Sequence, residues 1–95
     1  MVKHIVFFKL IDNSFENKEK VKQKLLTMQG KIEPLQKIEV GNNFAEEERA
    51  YDIALLTDFK SKEDLNIYAL HPYHLEIVSY IKEVASSSKI VDFIY

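Results

Sequence analysis

The sequence contains no cysteine and no tryptophan, and it has only two glycines and two prolines among its 95 residues. Without cysteine the chain has no disulfide framework, no thiolate metal site and no cysteine nucleophile. Two glycines do not make a glycine-rich phosphate loop, and no G-x-S-x-G nucleophile elbow occurs. These absences exclude several large classes of enzyme and metalloprotein.

A strong charge of either sign is also missing. Thirteen Lys and Arg balance fifteen Asp and Glu to a net charge of −2, and the only cluster of lysines is scattered over residues 18–24. Nucleic acid selects for a strongly positive face, so we expect no nucleic-acid partner. The first apolar run, HIVFFKLI, is interrupted by Lys9, is far shorter than a membrane span and is followed by no small-residue cleavage site. We therefore expect a soluble, cytoplasmic protein with no membrane partner.

What the sequence does contain is typical of a globular protein. Apolar residues make up 46% of the chain and aromatic residues 12%. That composition argues against disorder, and a chain of this length supports one modest core. We therefore expect a single domain over residues 1–95.

Hydrophobic periodicity divides the chain into strands and helices. Alternation of apolar residues predicts strands at 2–11, at about 37–40 and at 50–59, with a last strand at 89–95. Helical spacing predicts a helix from about Ser14 to near Gly30 and a short helix from Ser61. Pro72 ends that short helix and suits the first position of a further helix to about Val84. Ser86 to Ser88 are expected to connect this helix to the last strand.

The order of strand, helix, strand, strand, broken helix and strand predicts a ferredoxin-like α+β fold. In this split βαβ arrangement a four-stranded antiparallel sheet carries its helices on one face. The first and last strands would then leave an apolar patch on the other face, made of Ile5, Phe7, Ile11, Val91, Phe93 and Tyr95. Because exposed apolar patches of this kind mark interfaces, we expect a homodimer formed by stacking two sheets.

Two of the three histidines lie in the stretch YALHPYHLE, residues 68–76. Winding the helix that follows Pro72 places His74 between Ile81 and Val78 on its apolar side, facing the sheet. Burial and the positive end of the helix dipole both disfavour the imidazolium, so we expect the pKa of His74 to be lowered. A neutral histidine in an apolar cavity is a usable general base.

Other side chains are expected to converge on the same cavity. Tyr68 lies on the core side of the short helix, where its hydroxyl can donate a hydrogen bond to a carbonyl or oxyanion. His4 lies on the strand face that carries Val6 and Phe8 towards the helices. A cavity between sheet and helices, suited to a small hydrophobic molecule, is therefore predicted to involve His4, Val6, Phe8, His71, Val78 and Ile81, with Tyr68 and His74 as its catalytic candidates.

Each of these residues also has a purely structural interpretation. A half-buried His or Tyr usually has a hydrogen-bond partner and no catalytic role, and His71 before Pro72 equally fits a residue that caps the helix junction. His71 and His74 have the spacing of two metal ligands, but they do not share one helix face and the sequence places no third ligand. No metal site is predicted.

The combination of motifs resembles a known family. The segments VKHIVFFKL, IEVGNN, YDIALLTDF, YALHPYH and VDF together are similar to the stress-responsive dimeric α/β-barrel domain family, nearly end to end. The resemblance implies a ferredoxin-like subunit whose sheet stacks on that of a second subunit. One plant branch of the family is a cofactor-free polyketide cyclase, whose Tyr-x-x-His-Pro-x-His motif matches Tyr68 and His74 and whose strand-one histidine matches His4.

By that resemblance His74 would remove a proton next to a carbonyl, and Tyr68 would hold the carbonyl oxygen. The wider superfamily includes haem-degrading monooxygenases with an Asn, Trp and His set, but this chain has no tryptophan, so no haem or other cofactor is expected. Three functions stay open at this point: a binder of a small hydrophobic molecule, a cofactor-free cyclase or lyase, and a structural protein that only assembles.

Overall fold

The computed structural model describes all 95 residues and contains one four-stranded sheet and three helices. The elements are β1 (Val2–Leu10), α1 (Phe15–Leu26), β2 (Lys37–Asn42), β3 (Ile53–Phe59), α2 (Lys62–Leu70), α3 (Pro72–Val84) and β4 (Ala85–Ile94). The strand order is β2-β3-β1-β4, and every neighbouring pair is antiparallel. The predicted ferredoxin-like α+β fold is confirmed.

The helices cover one face of the sheet, here called the inner face. Successive side chains of a strand point to opposite faces, so alternate residues of β1 and their partners on β3 share this face. The core joins them to the helices and includes Val6, Phe8, Leu55, Phe59, Val21, Leu25, Met28, Tyr68 and Ile77. Burial of these apolar side chains is the main stabilising contribution to the fold.

Local signals fix where the helices begin. The Ser14 hydroxyl accepts the backbone N–H of Asn17 at 3.3 Å, and the Ser61 hydroxyl accepts that of Asp64 at 3.1 Å. These bonds satisfy N–H groups that the first helical turn leaves unpaired. The first helix is shorter than predicted, because α1 ends at Leu26 and turns follow up to Gly30, whose φ of 78° suits glycine.

The prediction that Ser86 to Ser88 form a connection is wrong, because these residues belong to β4. Pairing with β1 continues through them: Ser87 lies opposite Lys9 and Ser88 opposite Phe8. The long first strand offers main-chain hydrogen bonds over its whole length. Those bonds outweigh the modest strand preference of serine.

Alternation assigns Asp52 to the third strand, but β3 begins at Ile53 and the Asp52 side chain is buried. Its carboxylate accepts the backbone N–H of Leu10 at 2.7 Å, and its own N–H donates to the carbonyl of Phe8 at 2.8 Å. Asp52 therefore provides the acceptor for the last N–H of β1, where β3 no longer runs beside it. A buried carboxylate needs such hydrogen bonds.

The opposite face of the sheet, here called the outer face, carries no helix. Val91 pairs with Ile5 and Phe93 pairs with Lys3, so β1 and β4 direct apolar side chains to this face together. Phe7, Val91, Phe93 and Tyr95 are all exposed there. No helix in the structure has both the length and the apolar character needed to cross a membrane.

Candidate functional site

A cavity of about 230 Å³ lies between the inner face of the sheet and the helices. Apolar side chains form most of its wall, and they are Val6, Phe8, Leu25, Met28, Leu55, Ile77, Val78 and Ile81. The polar side chains that reach it are His4, Tyr68 and His74, with Lys82 and Ser88 at its exposed rim. Apolar walls with a few convergent polar groups are typical of sites for small organic molecules.

His74 reaches the cavity from the first turn of α3. Its Nδ1 lies 3.0 Å from the carbonyl oxygen of Ala69. Because a carbonyl only accepts, Nδ1 carries the proton in the neutral ring and donates it to Ala69. The lone pair then resides on Nε2, which has no hydrogen-bond partner within the chain, and is available to a ligand.

Burial lowers the pKa of His74 below its ordinary value. The hydrogen bond to Ala69 opposes this shift, while His4 and His71 reinforce it through like charge. Desolvation is the largest of these effects, because an imidazolium inside an apolar cavity loses its hydration. His74 is therefore neutral at neutral pH, and the lone pair on its Nε2 can accept a proton.

Tyr68 lies beside His74 and is almost completely buried. Its ring centroid is 4.3 Å from that of His74, 4.9 Å from that of Phe59 and 6.3 Å from that of His4. Its hydroxyl donates to the sulfur of Met28 at 3.6 Å, and burial raises its pKa. The phenol therefore stays protonated, and its weak thioether acceptor can be exchanged for a ligand oxygen.

His4 reaches the cavity from β1, opposite the helices. Its Nδ1 forms a hydrogen bond with a carboxylate oxygen of Asp92, which lies directly across from it on β4. Because a carboxylate is an acceptor, Nδ1 donates and Nε2 is left without a partner within the chain. Two imidazoles thus line one cavity, each anchored through Nδ1.

His71 does not line this cavity. It is the N-cap of α3, and its Nδ1 accepts the backbone N–H of Tyr73 at 3.0 Å. It borders a separate surface depression with Glu33 and Lys60. His71 and His74 therefore have different roles although they are three residues apart, and the structure contains no group of three or more His, Cys, Asp or Glu side chains placed to hold a metal ion.

The structure brings seven of the predicted site residues to the cavity: His4, Val6, Phe8, Tyr68, His74, Val78 and Ile81. Sequence analysis missed Asp92, the partner of His4, as well as the contributions of Met28 and Leu55. The signal for Asp92 was a charged residue within the apolar run IVDFIY. Its pairing with His4 depends on strand register, which the sequence does not state.

A larger depression of about 520 Å³ lies beside the loop between β2 and β3. Most of its lining is polar, and its two lysines already bind main-chain carbonyls. Lys9 donates to Ala50 at 3.2 Å and Lys18 donates to Asn43 at 3.1 Å. These contacts hold the loop. The larger depression has few apolar residues in its lining, whereas the smaller cavity combines apolar walls with convergent polar groups, so the smaller cavity is the candidate site.

Comparisons with known proteins agree with this architecture. The sequence profile of the stress responsive A/B barrel domain matches residues 2–95. No curated protein matches the chain. A solved structure from Bacteroides fragilis, described as a dimeric protein of unknown function with a ferredoxin-like fold, is 35% identical, with a TM-score of 0.81 and coverage of 99% of this chain and 95% of that one.

Two more distant structures share the fold. A dimeric ferredoxin-like protein of unknown function from Thermobifida fusca is 22% identical, with a TM-score of 0.84 and coverage of 99% of this chain and 90% of that one. A hydroxynitrile lyase from Passiflora edulis is 15% identical, with a TM-score of 0.84 and coverage of 99% and 92%. The similar structures thus include dimers of unknown function and one enzyme.

Proposed function

The chain belongs to the stress responsive A/B barrel domain family, and from that premise we propose that it binds a small apolar carbonyl compound in the cavity between sheet and helices. The observation that carries this proposal is the convergence of one phenol donor and two unpartnered imidazole nitrogens in an otherwise apolar cavity. A small apolar body suits the apolar wall, and a carbonyl oxygen suits the Tyr68 hydroxyl.

The proposal is tested by titrating the protein with acetophenone, which combines an aromatic ring with one carbonyl. We expect the methyl NMR signals of Val6, Val78 and Ile81 to shift, while that of outer-face Val91 does not. Val78→Phe adds a ring to the cavity wall and should weaken binding by roughly tenfold or more, because even one extra methylene in a hydrophobic pocket changes affinity by about 10-fold to 200-fold. Val91→Phe is the matched control. Equal shifts on both faces, or none, would count against the cavity as the binding site.

A second candidate function is cofactor-free catalysis by proton abstraction next to a carbonyl. It is favoured by the Nδ1 hydrogen bond and lowered pKa of His74, which together leave a neutral base on Nε2. Tyr68 would then donate a hydrogen bond to the carbonyl oxygen as it gains negative charge. The hydroxynitrile lyase from Passiflora edulis is an enzyme with the same fold.

We further propose that the functional unit is a homodimer in which two outer faces stack. The outer-face side chains Phe7 of β1 and Val91 and Phe93 of β4 are exposed on the same side of the sheet, and a two-fold interface buries the same surface on both chains. Similar structures are described as dimeric. A protein with a purely structural role would need only this assembly and no ligand. The cytoplasmic location stays a prediction from the sequence.

A further inference from the structure

The two imidazoles in the cavity are anchored in the same way but by different partners. His74 donates from Nδ1 to the neutral carbonyl of Ala69, whereas His4 donates from Nδ1 to the carboxylate of Asp92. Both hydrogen bonds fix the ring so that Nε2 is left for a ligand. Only the carboxylate also stabilises the positive charge that arises when Nε2 holds a proton.

Stability alone does not account for a carboxylate at position 92. Inner-face neighbours of Asp92 along β4 are Ile90 and Ile94, and the strand is exposed along its length. The Asp92 side chain is 41% exposed. An ion pair that is so accessible to water contributes little to the free energy of folding. An apolar residue would extend the inner face at least as well. The carboxylate instead contacts the one imidazole that enters the cavity from the sheet.

We propose that Asp92 is a positioning residue for His4, and that His4 is a second proton-transfer group of the cavity, acting with His74 on the same carbonyl compound. This inference rests on the proposed function, because it assigns a further residue pair to the same site. The Tyr68 ring lies 4.3 Å from that of His74 and 6.3 Å from that of His4, centroid to centroid, and all three side chains line the cavity, so we place the ligand oxygen near the Tyr68 hydroxyl, within reach of both imidazoles.

The proposed step is an enolisation, and its atoms balance within the cavity. His74 Nε2 takes a proton from the carbon next to the carbonyl, and the electron pair of that C–H bond forms the carbon–carbon double bond. In the proposed step His4 enters as the imidazolium, with one proton on Nδ1 and one on Nε2, and the carbonyl oxygen receives the proton from Nε2. The product is the enol, His74 is protonated, His4 is neutral and Asp92 stays ionised. Reversal restores both rings, so no cofactor or oxidant is required.

The positioning part is tested without any ligand, by recording the imidazole ¹⁵N signals of the three histidines. We expect the neutral His4 ring to carry its proton on Nδ1, as His74 does, whereas His71 carries its proton on Nε2. Asp92→Leu removes the acceptor and should return His4 to a mixture of tautomers while leaving His74 and His71 unchanged. An unchanged His4 spectrum in Asp92→Leu would overturn the proposal.

The proton-transfer part is tested by deuterium incorporation into the methyl group of acetophenone in D₂O. We expect Asp92→Asn to slow the protein-dependent exchange by about 10²-fold, a typical contribution of one acid–base group, and Asp92→Glu to restore part of the rate. Glu83→Gln, which removes a charge from an exposed position on α3, is the matched control and should not slow it. Equal rates in Asp92→Asn and the parent protein would overturn the role of the dyad.

The two proposals fail in distinguishable ways. If acetophenone moves no cavity signal, the proposed binding function fails, and the ¹⁵N measurement still decides whether Asp92 positions His4. If acetophenone binds in the cavity and the exchange rate does not depend on Asp92, binding stands and the second proton-transfer group is rejected.

Discussion

Successive side chains of each strand point alternately to the inner and outer faces of the sheet, yet the helices cover only the inner face. On the inner face, Phe59 is completely buried against Tyr68, and the helices leave one cavity with its polar groups directed inward. On the outer face, Phe93 and Val91 stay 43% and 55% exposed. The same alternation thus produces a ligand-sized space on one side and an unpartnered apolar surface on the other. Amphipathic pattern alone does not distinguish a core from an interface.

The largest expected effect comes from removing a buried ring on the inner face. Phe59→Ala should lower the free energy of unfolding by about 3–5 kcal/mol, because it leaves a cavity in a closely packed core. Phe93→Ala is the matched outer-face change, and its effect should depend on protein concentration if that face is a dimer interface. Urea denaturation at two protein concentrations measures both. If both variants lost the same free energy of unfolding at both protein concentrations, the distinction between the two faces would be rejected.

The next effect concerns assembly. Phe93→Glu places a charge in the outer patch and should weaken self-association by about 2–4 kcal/mol, the range of a central interface residue. Light scattering at micromolar concentration should then give the mass of one chain, 11.1 kDa, whereas we expect twice that mass for the parent protein. Phe15→Glu, at an aromatic residue that is 77% exposed on α1, should leave the dimer intact. A parent protein of single-chain mass would reject the stacked-sheet dimer.

The smallest effect is a pH dependence of stability that comes from the inner face. Burial lowers the pKa of His74 in the folded chain, whereas in the unfolded chain it titrates near 6.5. Below about pH 6.5 the unfolded chain therefore binds a proton that the folded chain does not, and the free energy of unfolding falls as pH falls towards the folded pKa. Above about pH 6.5 neither state binds this proton, and the stability that is lost at lower pH is fully present.

His74→Gln should reduce the loss of stability between pH 7.5 and pH 5.5, measured by urea denaturation at both values. His4 and His71 remain in this variant, so their contributions stay in both curves. An identical pH dependence in the variant and the parent protein would show that the pKa of His74 is the same in the folded and unfolded states.

Local features of the chain were predictable because their causes are local. Ser61 caps α2, and Pro72 begins α3 at a position where its missing N–H costs no hydrogen bond. The position of His74 on the apolar side of α3, facing the sheet, follows from the 3.6 residues per turn of an α-helix. The short first helix and the serines of β4 were predicted wrongly, because turns and strand pairing outweighed the propensities of those residues.

The sequence by itself determined the elements, their order and the side of each element that is apolar, because these depend on neighbours a few residues away. Only the tertiary structure decided that Asp92 lies across from His4, that the Tyr68 and His74 ring centroids lie 4.3 Å apart, and that His71 caps α3 and does not line the cavity. Strand register and the packing of helices on the sheet join residues that are far apart in the chain. Their geometry depends on the packing of the whole domain, and the spacing of residues in the sequence carries no direct record of it.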